Sequence, residues 1–235
     1  MSPSERILSF SIRAAFRLLC RMDVKQLQRI PRYGAVVLAT NHIGNLDGPL
    51  FYSFLRRQKK TGIAKRELWE HPLTGYIMRI WDLIPIDRGE TDRETIRRCF
   101  KALDDGYLLG IAPEGTRSRT GILGTGHPGA VYIAGAKKLP IYPVAHWGTS
   151  EVLRKLTSFR RPNITIRVGQ PFFLEKPGGG KVGVEDRTRM LDEMMYQLAV
   201  LLPPQYRGAY ADMSRMTTDY IRYLDVNTEV TPPPA

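Results

Sequence analysis

The sequence predicts an α/β domain on a mixed, largely parallel central sheet flanked by helices, with an N-terminal amphipathic helical element. Three observations carry this. Short apolar runs recur at 35–40, 61–65, 83–86, 108–112, 141–146 and 164–169, each of strand length. Segments with helical periodicity fall between several of them, and strands alternating with helices form a sheet covered on both faces. The chain's 235 residues suffice for one domain with a sizeable core.

Residues 5–22, ERILSFSIRAAFRLLCRM, open the chain. At 100° per residue, Arg6, Arg13, Arg17 and Arg21 fall on one face, and Leu8, Ile12, Ala15, Phe16, Leu19 and Met22 form the opposite stripe. Two roles fit this pattern: a helix docked on the domain with its arginine stems in water, or a helix lying on anionic lipid. Domain limits are drawn accordingly, with an interface helix over 1–30, the α/β domain over 31–225 and a disordered tail, ending TPPPA, over 226–235. Within the domain, AVVLAT (35–40) reads as a buried strand and 49–57 as a helix. TGIAK (61–65) and LIPI (83–86) read as short strands. Thr91 and Glu94 have capping-box spacing and open a helix to 103. LLGIA (108–112) is a buried strand, 129–138 is helical, and IYPVAH (141–146) and ITIRVG (164–169) are strands. KPGGGK (176–181) is a loop, and helical patterns fill much of 185–223.

The balance of 35 Lys and Arg against 23 Asp and Glu gives a net charge of +12. Such a surface favours nucleic acid, anionic lipid or phosphorylated substrates. Aromatic residues make up only 9% of the chain and do not interleave with cations, which argues against a nucleic-acid module. Cys20 and Cys99 read as free thiols, and the four histidines are scattered, so no metal site is expected. Arg13 and Arg17 interrupt the N-terminal apolar stretch, and no small-residue cleavage site follows. A cleaved leader is therefore not expected. No apolar run reaches the roughly 18 residues that predict a membrane span.

The stretch N-H-I-G-N-L-D (41–47) raises the main chemical question. On a helix, residues five apart do not face each other. Gly44 and Asn45 favour a turn, and Gly48-Pro49 suits a helix start, so His42 and Asp47 are expected on a strand-to-helix turn. Asp47 can serve as an N-cap beside a buried His42. It can also accept a hydrogen bond from one ring nitrogen of His42, leaving the other to take a proton from a hydroxyl. G-x-S-x-G is absent, so that hydroxyl would belong to a substrate. Two further stretches offer anion chemistry. Arg88, in IPIDRGE (84–90), follows a strand and precedes a helix N-terminus. In APEGTRSRTG (112–121), Gly115 permits a sharp turn, Arg117 and Arg119 offer guanidinium forks, and Glu114 can hold an arginine or a substrate hydroxyl. GTGHPG (124–129) matches G-x-G-x-x-G, but it follows a loop and carries Pro128, so dinucleotide binding is not expected.

Together, H-x4-D at 42–47, I-D-R at 86–88, P-E-G-T-R-S at 113–118 and an apolar strand with proline at 141–146 resemble the glycerolipid acyltransferase family, which includes the bacterial 1-acylglycerol-3-phosphate acyltransferases. The resemblance implies His42 as general base and Asp47 as its orienting partner. It implies Arg88, Glu114, Gly115, Arg117 and Lys65 at the acceptor phosphate, and Pro143 at an acyl or acceptor pocket. It further implies an acyl-CoA or acyl-carrier-protein donor, a lysophospholipid acceptor, no cofactor or metal, and a peripheral position on the cytoplasmic face of the membrane. Glycerol 3-phosphate, another lysophospholipid and a glycolipid are alternative acceptors. The chain departs from the family pattern at Gly44, often Ser; at Ala112, commonly Phe; and in GTGHPGA, which lacks a lysine often found there.

Overall fold

A computed structural model describes residues 2–57, 59–87 and 93–225. Nine strands among them form one sheet: β1 (Arg21–Asp23), β2 (Val36–Thr40), β3 (Lys60–Lys65), β4 (Ile84–Ile86), β5 (Leu108–Ile111), β6 (Ile141–Trp147), β7 (Asn163–Val168), β8 (Phe172–Leu174) and β9 (Ile221–Tyr223). Their order is β1-β7-β6-β2-β5-β3-β4, with β8 paired to β6 and β9 to β8. The five strands from β6 to β4 are parallel, and β7 and β8 run antiparallel to β6. The sheet is thus mixed and largely parallel, as expected.

Helices α1 (Pro3–Leu19), α2 (Asp47–Phe54), α3 (Pro72–Ile80), α4 (Arg93–Asp104), α5 (Pro128–Gly135), α6 (Val152–Thr157) and α7 (Val184–Leu201) surround the sheet. Side chains alternate across each strand. Val36 and Leu38 join Phe16, Leu50, Phe51, Val152 and Ile166 in a core beneath α1, α2 and α6. Val37 and Ala39 join Leu109, Val131, Met194, Met195 and Leu198 in a core beneath α5 and α7. A continuous apolar run such as AVVLAT is what a strand covered on both faces requires.

The N-terminal segment does not sit apart from the sheet. α1 starts at a capping Ser2, whose Oγ accepts from the Glu5 amide at 3.1 Å, with proline in its first turn. It ends at Leu19, and Arg21–Asp23 then turn into β1, which pairs with β7. Phe16 is buried and meets Phe54 of α2 edge to face, with ring centroids 6.1 Å apart. The buried pair Glu5–Lys60 (3.5 Å) fixes the other end of the helix. The apolar stripe read as one candidate lipid face turns toward the protein through Leu8, Ile12 and Phe16, while its Ala15 and Leu19 stay exposed; Ile7, Phe10 and Leu18, outside that stripe, form a second exposed apolar strip.

The helical expectation over 185–223 ends at Leu201. Pro203 and Pro204 remove amide donors and block continuation, and short 3-10 turns lead to β9. The short β1, β8, α3 and α6 were not anticipated. Thr91 of the expected capping box, Arg88 and the tail 226–235 lie outside the described residues.

Candidate active site

Five parallel strands end along one edge of the sheet, the customary place for ligand sites in α/β folds. The turn carrying 41–47 leaves β2 at that edge, and its first helical residue is Asp47 itself. Asp47 is buried. Its Oδ2 accepts from the amides of Ile43 and Gly44, both at 2.8 Å, and from His42 Nδ1, also at 2.8 Å. Asp47 does not cap α2; its side chain reaches back and closes the turn that holds the histidine. Because a carboxylate only accepts, the bond assigns a proton to Nδ1 and leaves Nε2 as the basic nitrogen. The His42 side chain is 31% exposed, so the ring can meet a ligand.

The other oxygen of Asp47 is equally occupied. Thr149 Oγ1 donates to Oδ1 at 2.7 Å. Nε2 of the fully buried His146 lies 3.0 Å from the same oxygen, at an angle that makes this an electrostatic contact rather than a directed hydrogen bond. Burial alone would favour the neutral acid. The attraction of His146 and the hydrogen bonds of His42 and Thr149 outweigh it and hold Asp47 far below the usual carboxylate range. The aspartate is thus an ionised anchor.

His146 and Thr149 were not among the expected site residues. His146 reaches the site because β6 lies beside β2. The side-chain amide of Asn41, just past the end of β2, spans the pair, donating to the His146 carbonyl and accepting from its amide, both at 2.9 Å. Phe51 packs edge to face on the imidazole.

The P-E-G-T-R-S loop leaves β5, next to β2, and wraps the same turn. Glu114 Oε1 accepts from the His42 amide at 2.9 Å, and Oε2 accepts from the Gly124 amide at 2.8 Å. The Ser118 amide donates to the His42 carbonyl at 2.8 Å. Arg117 donates to Asn45 Oδ1. Glu114 is buried, and burial pushes its pKa above the usual value despite those two amides. With both oxygens engaged by backbone, it positions His42 and does not face outward as a phosphate ligand. Gly115 has φ of +62°, and a Cβ there would come within 3.0 Å of the His127 ring, so glycine is required for both reasons. In GTGHPG, Gly124 serves Glu114, and Gly126 lies close against Leu191 and Met195.

Arg117 is exposed beside His42's turn, where an anion can reach it. Lys65 ends β3 on the same edge, two strands from β2 or roughly 10 Å away, and pairs with Glu67 at 3.2 Å. Pro143 is different. It is buried in β6, against Gly169, and alternation places it on the α7 face with Ile141 and Ala145. Tyr142, Val144 and the Asp47-contacting His146 face the other way. Pro143 therefore packs on the α7 side of the sheet, the face away from His146.

Comparison with known proteins matches this geometry to a family. A family model described as Acyltransferase matches residues 21–147, a span running from β1 to the end of β6. A 1-acyl-sn-glycerol-3-phosphate acyltransferase of Bacillus subtilis is 27% identical over 64% of this chain and 73% of its own length. A protein of the same name from Limnanthes douglasii is 32% identical over 57% of this chain and 49% of its own. The chloroplastic enzyme BAT2 of Brassica napus is 28% identical, and the match covers 39% of that protein, so the chain matches only about two fifths of its length. The crystal structure of PlsC from Thermotoga maritima, a 1-acyl-sn-glycerophosphate acyltransferase, superposes with a TM-score of 0.60 over 79% of this chain and 74% of that one at 23% identity, which is a likeness of fold. Because the family model spans more than half of the sequence, from the first strand through both halves of the histidine–aspartate site, the chain belongs to the acyltransferase family.

Proposed function

We propose that this protein transfers a fatty acyl group from a thioester, acyl-CoA or acyl-carrier protein, to the free hydroxyl of 1-acylglycerol 3-phosphate, forming phosphatidic acid. The observation that carries the reading is the 2.8 Å bond from His42 Nδ1 to Asp47 Oδ2, which presents Nε2 to an incoming hydroxyl. In this reading Nε2 removes the hydroxyl proton as the oxygen attacks the thioester carbonyl. Ionised Asp47 stabilises the imidazolium. The carbon–sulfur bond breaks, the thiolate takes the proton back from Nε2, and an ester and a free thiol leave. No acyl-enzyme is needed. His146 and Thr149 keep Asp47 ionised and fixed, and Glu114 fixes the His42 backbone.

Arg117, with Lys65 and Arg88, takes the acceptor phosphate. The names of the relatives support this acceptor. No helix among the described residues is long and apolar enough to cross a membrane. In this reading the lipid is met from one side, by a peripheral protein on the cytoplasmic face. Within the 1–30 segment, α1 meets the bilayer through Ile7, Phe10 and Leu18, which lie within about 80° around the helix, with Arg6, Arg13 and Arg17 at one flank. The test is to incubate the purified protein with labelled acyl-CoA, or labelled acyl-carrier protein, and vesicles containing 1-acylglycerol 3-phosphate. Labelled phosphatidic acid is expected. Labelling of glycerol 3-phosphate in a parallel reaction, with none of the lysolipid, contradicts the acceptor assignment.

A further inference from the structure

After α6 the chain turns in a way that leaves a phenylalanine in solvent. The Arg160 amide donates to the Lys155 carbonyl at 2.8 Å, and the Phe159 amide to the Leu156 carbonyl at 3.0 Å. This pair of bonds closes a helix with the residue after the cap in the left-handed region, a position usually held by glycine. Here Phe159 occupies it, with φ of +54°, a conformation unfavourable for a bulky L-residue. Its side chain is fully exposed, at 102%. The fold thus adopts an unfavourable backbone conformation to display an aromatic ring that no described residue covers, a combination that points to an outside partner.

The surroundings indicate which partner. Leu153, on the same short helix, is also exposed. Arg154, Lys155, Arg160 and Arg161 lie in the same stretch, 151–161, and Glu151 at its start pairs with Arg154 and Lys155. Arg161 Nη2 donates to the Arg17 and Cys20 carbonyls at 2.9 and 3.0 Å, and the Arg21 amide donates to the Pro162 carbonyl at 2.8 Å. The turn is therefore clamped to the C-terminal end of α1, where Leu18 is exposed beside Arg17 and Arg21. Apolar groups ringed by guanidinium groups suit an anionic lipid surface. Pairing with a second copy through this patch would oppose like charges.

We propose that the turn joining α6 to β7 is a second membrane-contact element beside α1. Phe159 and Leu153 enter the interfacial layer, and Arg154, Arg160, Arg17 and Arg21 meet lipid phosphates. α6 follows the short 3-10 turn that begins at Thr149, which is bonded to Asp47, so the contact seats the dyad near the lipid surface. The idea extends the acyltransferase reading, but vesicle binding tests it without turnover. Wild type, Phe159→Gly, Phe159→Trp and Arg160→Glu are compared by co-sedimentation with phosphatidylglycerol–phosphatidylcholine vesicles at low and high salt. Phe159→Gly relieves the backbone, so its melting temperature is expected to hold or rise, and its vesicle partitioning to fall about tenfold. Phe159→Trp retains binding. Arg160→Glu weakens it at low salt and less so at high salt. Unchanged partitioning of Phe159→Gly overturns the proposal and leaves the transferase reading standing. So does a Phe159→Gly change from dimer to monomer in sedimentation velocity with vesicle binding intact. Lost partitioning in a protein without transferase activity supports the surface and removes the activity.

Discussion

Asp47 and Glu114 are both buried carboxylates beside His42, yet they hold different things. Asp47 engages the imidazole, two amides and a hydroxyl. Glu114 engages only amides, on two separate loops. A glutamine at 114 keeps one acceptor and turns an NH2 group toward an amide donor. Glu114→Gln is therefore expected to lower kcat by roughly tenfold through loss of one charge-assisted hydrogen bond, with KM for the lysolipid unchanged. Arg117→Ala is expected to do the reverse, raising KM for a phosphorylated acceptor and sparing one without phosphate. Steady-state kinetics on both acceptors check this, and a KM effect in Glu114→Gln would return that residue to the phosphate site. At this scale the sequence was legible where chemistry is contiguous, as in 41–47 and 113–118. His146 and Thr149 lie 105 and 102 residues beyond their partners Asn41 and Asp47 and become visible only once β6 is known to lie beside β2.

Among elements, α1 shows that periodicity identifies a helix without saying which partner its faces meet. The helix was legible from its spacing, and its apolar stripe had two possible neighbours, the protein or lipid. Packing on α2 took Phe16 and left Phe10 outside, 67% exposed. Phe16→Ala is expected to destabilise the protein by about 3–5 kcal/mol, measured by urea unfolding. Phe10→Ala is expected to leave stability within about 0.5 kcal/mol and to weaken vesicle binding. The reverse pattern would mean that α1 docks through its other face. The long strands were legible because they are covered on both faces. The three-residue strands β1 and β8 were not: unlike β4, marked by its apolar LIPI run, they owe their conformation to pairing with β7, β6 and β9.

For the whole molecule, the two buried carboxylates set opposite responses to acid. Asp47 has a native pKa below its unfolded value. Its contribution to stability is complete above the unfolded carboxylate pKa, about 3.9, and is lost as pH falls below it, because the unfolded chain takes up the proton first. Glu114, raised in the native state, acts the other way at higher pH, where the folded protein takes up the proton first. Unfolding midpoints in urea from about pH 5 to about pH 3 are expected to drop steeply in wild type and less steeply in Asp47→Asn. Equal slopes would mean that Asp47 is not held ionised by its partners.

In the proposed reaction His42, oriented by Asp47, is the proton acceptor. His42 is partly exposed, and its ring makes one directed bond to the protein, so His42→Ala can be compared with wild type at matched folding. Initial rates of phosphatidic acid formation from labelled acyl-CoA and 1-acylglycerol 3-phosphate, measured beside the melting temperature of each protein, give the test. The rate is expected to fall by about 10²–10⁴-fold with the melting temperature nearly unchanged. A folded His42→Ala protein within about twofold of the wild-type rate would contradict it.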